Sequence, residues 1–309
     1  MMRFIKLTII TFTLLVIANS ANAQYRETFY TTLLNPFIAN PASAGSSGAP
    51  FAMFNARTLV GGTNTSARTI NFSVHSPLNN VPRYGNSSVG LKFISHNSGI
   101  FQTTNAEAAY SVKVDFSRDD HLSLGLSLGF IQTVLDKDLL SSNVNLADPN
   151  IDAPQLNQFL FTTGAGILYQ NRNGLELYAA SPMLVSVSEP LSAFVVVGGS
   201  YKFKLGGHSS TNFFKPSVNF YNFTNTQKVV DAIAALYIND AFKFQLGYRS
   251  SGAAVAGIGF NINSFLVAYN YYHFVGEFSR FAPAQNEIAI AFKFKPQRRG
   301  RRGNEPNYW

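Results

Sequence analysis

The chain has 309 residues, of which 13% are charged and 14% aromatic, with no cysteine and a formal net charge of +8. So few charges argue against a soluble domain with a charged outer surface, and the lack of cysteine excludes a disulfide framework. No segment after residue 23 approaches the roughly 20 consecutive apolar residues of a transmembrane helix, so helical membrane anchoring is excluded.

The N-terminus has the pattern of a secretory signal. Two basic residues precede an apolar run over residues 7–18, and Ala21-Asn22-Ala23 has the small-x-small pattern of a signal-peptidase site. We therefore expect residues 1–23 to be a signal peptide and the chain to be exported.

The next segment, residues 24–50, contains two Asn-Pro pairs, Asn35-Pro36 and Asn40-Pro41. Each proline removes a backbone donor and moves the preceding residue out of helical geometry, so this segment is expected to form turns and no central strand. Its large apolar side chains favour a cap or plug that closes the following structure from below. The alternative is a disordered leader.

From residue 51 to 295 the chain alternates between apolar and small or polar side chains. Phe242, Phe244, Leu246 and Tyr248 share one parity, whereas the positions between them are lysine, glutamine and glycine. This is the period of a strand with one apolar face. We predict about 14 strands, an even number that suits an outer-membrane barrel. The predicted strands cover residues 51–60, 67–75, 87–96, 101–116, 121–134, 159–170, 174–181, 194–204, 211–224, 228–238, 241–250, 252–262, 264–274 and 285–295.

The predicted fold is all-β, a single transmembrane antiparallel β-barrel with an N-terminal cap. Few charges and many aromatic residues suit a surface that faces lipid, and Ser, Thr, Asn and Gly on the other face suit a lumen. We expect the cell outer membrane of a Gram-negative bacterium as the location. The short connections should face the periplasm, and the longest one, between Leu135 and Gln158, should be extracellular.

The residues after the last strand, 296–309, form a basic tail on the predicted periplasmic side, with arginines at Arg298, Arg299, Arg301 and Arg302. The tail is either a solvated segment that touches anionic lipid headgroups or a docking strip for an acidic periplasmic partner. An exported barrel does not meet nucleic acid, so nucleic-acid binding is not expected.

Inward-facing cations outnumber inward-facing acids in the predicted barrel. A wet lumen with this imbalance would favour anions, unless the charges pair with one another or with a plug. The cations are Lys92, Lys113, Lys202, Lys204, Lys215, Lys243, Arg249, Lys293 and Lys295, and the acids are Glu107, Asp115 and Glu287.

The sequence predicts no catalytic residue, cofactor or metal site. The five histidines are isolated from one another, and no Gly-x-Ser-x-Gly motif appears. Asp148, Asn150 and Asp152 copy the first three ligand positions of a calcium loop, but Ala153 and Phe159 stand where glycine and glutamate are required, so an ordinary surface loop is favoured over a partial calcium site.

The Asn-Pro segment resembles the PorP/SprF family of outer-membrane proteins, which is associated with type IX secretion and gliding motility. The resemblance rests on an Asn-Pro-Phe element followed by an Asn-Pro-Ala-x-Ala-Gly element, with Ser43 at a position that is usually aromatic in the family. The matching residues are Asn35, Pro36, Phe37, Asn40, Pro41, Ala42, Ala44 and Gly45.

This resemblance implies a barrel that supports export or surface attachment of a secreted type IX substrate, such as a surface adhesin, and that contacts outer-membrane lipid and a periplasmic secretion-machinery protein. It implies no enzymatic activity. The alternative is an outer-membrane channel for small hydrophobic or anionic solutes, which a barrel of this strand number could also enclose.

Overall fold

The computed structural model of this chain describes residues 34–60, 67–78, 86–99, 101–135, 158–186, 194–206, 210–223, 227–275, 279 and 284–294. The predicted signal peptide, residues 24–33 of the predicted cap, the centre of the 135–158 connection with its calcium-like motif, and the basic tail lie outside the described residues.

The described residues form fifteen strand segments and two short 3₁₀ turns. The turns are Pro36–Ile38 and Pro41–Ser43. The strands are β1 (Phe51–Leu59), β2 (Arg68–Pro77), β3 (Ser87–Ser98), β4 (Phe101–Asp115), β5 (Asp120–Leu135), β6 (Gln158–Asn171), β7 (Leu175–Ser186), β8 (Phe194–Tyr201), β9 (Phe203–Lys204), β10 (Phe213–Phe223), β11 (Gln227–Ile238), β12 (Phe242–Arg249), β13 (Ala253–Ile262), β14 (Phe265–Phe274) and β15 (Ala284–Lys293).

These strands close into one antiparallel barrel of 14 strands, which confirms the predicted all-β barrel, whereas the N-terminal cap stays a prediction. β8 and β9 count as one strand because both pair with β10. The barrel closes between its last and first strands, with Phe51 opposite Lys293. Each strand therefore has a neighbour on both sides, so the sheet has no open edge at which backbone polar groups would face lipid.

The two faces of the wall differ as the alternation predicts. On β12, Phe244 is 46% and Leu246 is 68% exposed, whereas Lys243 and Gln245 between them are 4% and 5% exposed. The outward face is apolar around the barrel and would be unstable in water, so it is the surface that meets lipid. The polar face lines the lumen.

The barrel has two distinct ends. We call the end at which β1 begins the turn end, because β4–β5, β6–β7, β11–β12 and β13–β14 are joined there by tight connections. Asn239, Asp240 and Asn263 adopt positive φ in two of these connections, which is the conformation that short hairpins require and that asparagine and aspartate tolerate. The opposite end is the loop end. That the turn end faces the periplasm remains a prediction.

Two prolines mark irregular places in the wall. Pro216 of β10 has no backbone N–H, and the ladder to β8 stops at the Ser200–Ser217 pair and resumes with β9 at Phe203–Phe214. Pro182 lies in β7 where the register shifts against both β6 and β8, which is a β-bulge.

No helix in the described part of the chain is long and apolar enough to cross a membrane.

Candidate functional site

The lumen is the candidate site, because the Asn-Pro segment lies in it. Each asparagine begins a 3₁₀ turn whose first residue is proline, a position at which the missing N–H costs nothing. The Asn35 side-chain carbonyl accepts from Phe37 N at 3.3 Å, and the Asn40 carbonyl accepts from Ala42 N at 2.9 Å. The two Asn-Pro units thus build the same local structure twice.

The amide nitrogens of the same two side chains bind the barrel wall. Asn35 Nδ2 donates to Ser73 Oγ at 2.8 Å, and Asn40 Nδ2 donates to the backbone carbonyl of Ile167 at 3.1 Å. Both asparagines are buried, with 1% and 0% of their surface exposed. Each asparagine therefore stabilises a turn with its oxygen and attaches that turn to the wall with its nitrogen.

Inward-facing glycines make room for the segment. A methyl group at Gly125 of β5 would overlap the backbone of Pro41 and Ala42, and one at Gly166 of β6 would overlap the Asn40 side chain. The absence of a side chain at Gly166 is also what lets Asn40 reach the backbone of β6. The wall and the segment are therefore complementary in shape at these points.

Polar groups on the wall bind the backbone between and after the turns. Lys92 Nζ donates to the Ile38 carbonyl at 2.9 Å while lying 3.1 Å from Glu107 Oε2. Ser111 Oγ donates to the Ala44 carbonyl at 2.9 Å. These bonds satisfy carbonyl groups that would otherwise be buried without a partner.

The end of the segment is held by a histidine. Gly45 N donates to His75 Nδ1 at 3.0 Å, and the His75 ring stacks on Phe51 with a centroid distance of 5.1 Å. Gly45 adopts a positive φ of 73°, which glycine reaches without strain. His75, which the sequence showed only as an isolated histidine, thus connects the segment to the first strand.

Apolar side chains complete the contact. Ile38 packs with Phe51 and Met53 of β1 and with small residues of β14 and β15, and Phe37 is 2% exposed beside Ala44 and Ala109. Burial of these side chains favours the docked segment by about 1.5–3 kcal/mol for each large residue.

The lumen wall nearer the loop end carries its own ion pair. Arg249 donates from Nε and Nη2 to the two carboxylate oxygens of Asp231, each at 2.7 Å, and both side chains are 1% exposed. Tyr272 donates to Glu287 beside it, and the Arg57 guanidinium lies 5.8 Å from the centre of the Tyr272 ring. Arg249 and Asp231 are therefore paired across neighbouring strands.

A small cavity of about 70 Å³ separates the segment from β6, β7, β8 and β10. Its lining includes Glu176 and Lys215, which form an ion pair at 2.6 Å. Ser200 also donates to Glu176, at 2.9 Å. A cavity of this size with several polar groups has room for a few water molecules.

The structure brings the eight predicted motif residues together in the lumen. Of the predicted inward cations, Lys92, Lys215 and Arg249 are paired with carboxylates, and Lys113 lies exposed near the turn end. Lys295, Arg298, Arg299, Arg301 and Arg302 lie outside the described residues.

Sequence reasoning missed Asp231 and Glu176 as the partners of Arg249 and Lys215. Asp231 could have been found, because it and Arg249 lie at nearly equal distances from the tight β11–β12 connection and face each other in the hairpin. Glu176 gives no such signal, because its partner is on β10 and β8 lies between them.

Solved structures with a similar fold are outer-membrane barrels. The CymD monoaromatic hydrocarbon channel matches with a TM-score of 0.53 and 10% identity, covering 90% of this chain and 96% of that one. The Ralstonia pickettii toluene transporter TbuX matches with a TM-score of 0.51 and 11% identity, covering 84% and 93%. At this identity the likeness concerns the fold alone.

CdiB from Acinetobacter baumannii matches with a TM-score of 0.44 and 10% identity over 80% of this chain, which spans 60% of CdiB. No curated protein matches the chain. The family model described as type IX secretion system membrane protein PorP/SprF matches residues 21–292, which is most of the sequence. The chain therefore belongs to the PorP/SprF family of type IX secretion system membrane proteins.

Proposed function

We propose that this protein is an outer-membrane component of type IX secretion or gliding machinery that supports export or surface attachment of a partner protein, such as an adhesin. The observation that supports the proposal is the set of contacts by which the Asn-Pro segment binds β2, β3, β4, β5 and β6. We infer that this segment plugs the lumen, which suits a platform better than an open pore.

The proposal includes an orientation and a route to the membrane. Residues 1–23 direct export as a signal peptide and are removed. The turn end faces the periplasm, and the long connection between β5 and β6 faces the outside, where it is available to a secreted partner.

Deleting the gene should leave one surface protein in the medium or inside the cell, while the purified barrel should show little or no conductance in planar bilayers. The first result is expected because a platform is needed by its partner, and the second because the proposed plug closes the lumen. Mass spectrometry of surface, medium and cell fractions, together with bilayer recordings, checks both. A normal set of surface proteins in the deletion strain would refute the proposal.

The second candidate is a channel for small hydrophobic or anionic solutes, supported by the fold shared with hydrocarbon channels. It predicts the opposite pair of results, steady conductance or solute uptake with surface proteins unchanged. Reversing the charge at Lys113 or Lys243 to glutamate would then change anion selectivity, whereas a closed platform would show no such change.

We further propose that the basic tail docks an acidic periplasmic protein. Deleting Gln297–Trp309 should leave barrel insertion intact and reduce co-purification of a periplasmic partner from detergent-solubilised outer membranes. Replacing Arg298, Arg299, Arg301 and Arg302 by glutamine should have the same effect, whereas replacing them by lysine should retain most of the partner because the charge is kept. Unchanged co-purification in both the deletion and the glutamine variant would refute the docking role.

A further inference from the structure

A row of inward side chains at the turn end combines two ammonium groups with two stacked rings. Lys243 of β12 is paired across the sheet with Tyr237 of β11, which is paired with Phe213 of β10. The Tyr237 and Phe213 rings stack with a centroid distance of 4.2 Å. Lys202 Nζ lies 3.8 Å from the centre of the Phe213 ring, and Lys243 Nζ lies 5.6 Å from that of Tyr237.

Among the residues that the structure describes, no carboxylate forms an ion pair with Lys243. Lys243 is 4% exposed, and its ammonium lies over the Tyr237 ring. Glu176, in the adjacent part of the wall, is already bound by Lys215, Ser200 and Gln170. A buried ammonium without a carboxylate is costly, since cation–π contact replaces only part of its lost hydration.

The Tyr237 hydroxyl adds a second group that requires a partner. It is buried, and it makes no hydrogen bond within the part of the chain that the structure describes. A buried hydroxyl without a partner costs about 1–3 kcal/mol. Lys243 and Tyr237 therefore offer two donors, one of them charged, for which the described residues show no acceptor.

The wall also leaves room next to the ammonium. The next two positions along the same row are Gly259 of β13 and Ala268 of β14. A methyl group added at Gly259 would meet its nearest neighbours only at 3.4 Å or more, which is ordinary van der Waals contact. No large side chain from these two strands occupies the lumen beside Lys243.

We propose that Lys243 and Tyr237, with the nearby charge of Lys202, form an oxyanion site at the turn end of the lumen, and that its ligand is a phosphate group. An oxyanion accepts a charge-assisted bond from the ammonium and a second bond from the hydroxyl, so it satisfies both groups at once. The phosphate comes either free in solution or in the headgroup of a lipid. This site does not depend on the proposed secretion role.

Titration of the purified mature protein in detergent with sodium phosphate, at constant ionic strength set with sodium chloride, tests the site by calorimetry. We expect saturable binding that Lys243→Met weakens about tenfold or more, the equivalent of one charged hydrogen bond. Tyr237→Phe keeps the stacked ring and should weaken binding by a smaller factor. The control is Lys204→Met, which removes an exposed cation from the same end and should change little.

Native mass spectrometry of the protein extracted from outer membranes separates the two sources. Phospholipid or lipid phosphate that is retained by the parent protein and lost from Lys243→Met assigns the site to a headgroup, and binding of inorganic phosphate with no retained lipid assigns it to the free anion. Each variant is first shown to migrate as a folded barrel on an unheated gel. Absence of both ligands, or equal binding by Lys243→Met and the parent, overturns the proposal.

Discussion

Replacing Asp231 by leucine should lower the free energy of unfolding by about 3–5 kcal/mol, because Arg249 then remains inside the barrel without its carboxylate. The two side chains share a bidentate contact with both distances at 2.7 Å. Neither can turn to water, since each is 1% exposed. Urea unfolding of the protein in lipid vesicles, followed by circular dichroism and by gel mobility of the folded barrel, measures the change.

Two further variants show whether the loss comes from the unpaired charge. Asp231→Leu combined with Arg249→Met should recover most of the stability, because an apolar pair in place of a buried ion pair is often neutral or better. Asp119→Leu removes a carboxylate that lies 3.4 Å from Arg172 in an exposed pair and should have almost no effect. An effect of Asp231→Leu as small as that of Asp119→Leu would contradict a contribution of this ion pair to stability.

The strands of this barrel were predictable because each one obeys a local rule. A wall residue that faces lipid must be apolar and its neighbours need not be, so the alternation on β12 or β15 is visible in a single segment. The predicted ends agree with the observed ones within a few residues, as for 228–238 against Gln227–Ile238. The predicted strand bounds leave only residues 239–240 and 263 for two of the connections, and asparagine and aspartate tolerate the positive φ found there.

The predicted boundaries were least accurate where the wall is irregular. The seventh strand was predicted to end at residue 181, whereas β7 continues to Ser186 past a bulge at Pro182. The second strand was predicted to end at residue 75, whereas β2 continues to Pro77 and His75 is buried within it. Proline is tolerated within a strand only where the ladder needs no N–H from it, as at a bulge. A histidine is tolerated inside the wall only where neighbouring residues pack against its ring.

The Asn-Pro segment was predictable as turns but not as a set of contacts. Proline after asparagine determines the local backbone, and the two 3₁₀ turns follow from that. Its partners on β2, β3, β5 and β6 are far away in the chain, and a glycine such as Gly125 has no sequence feature that marks it as a contact point. The complementarity is visible only when the wall is assembled.

Replacing Gly125 by leucine should displace the Asn-Pro segment from the wall while the barrel stays closed. The new side chain would overlap the backbone of Pro41 and Ala42, and overpacking of this kind costs about 1–3 kcal/mol. Ser43 supplies a reporter, because it is 0% exposed, its hydroxyl has no hydrogen-bond partner among the described residues, and the chain contains no native cysteine. In a Ser43→Cys background, Gly125→Leu should raise the rate of labelling by a water-soluble maleimide about tenfold or more.

The matched control is Gly259→Ala in the same Ser43→Cys background, since that glycine also faces the lumen but has room for a methyl group. Labelling of the control should stay as slow as in the parent. Slow labelling of Gly125→Leu in a barrel that still migrates as folded would contradict the docked segment.

If labelling is fast and conductance appears in the same sample, the segment itself closes the lumen, because the wall is unchanged apart from one side chain. If labelling is fast and conductance stays absent, the polar side chains nearer the loop end, including the Arg249–Asp231 pair, are sufficient to keep the lumen closed to ions.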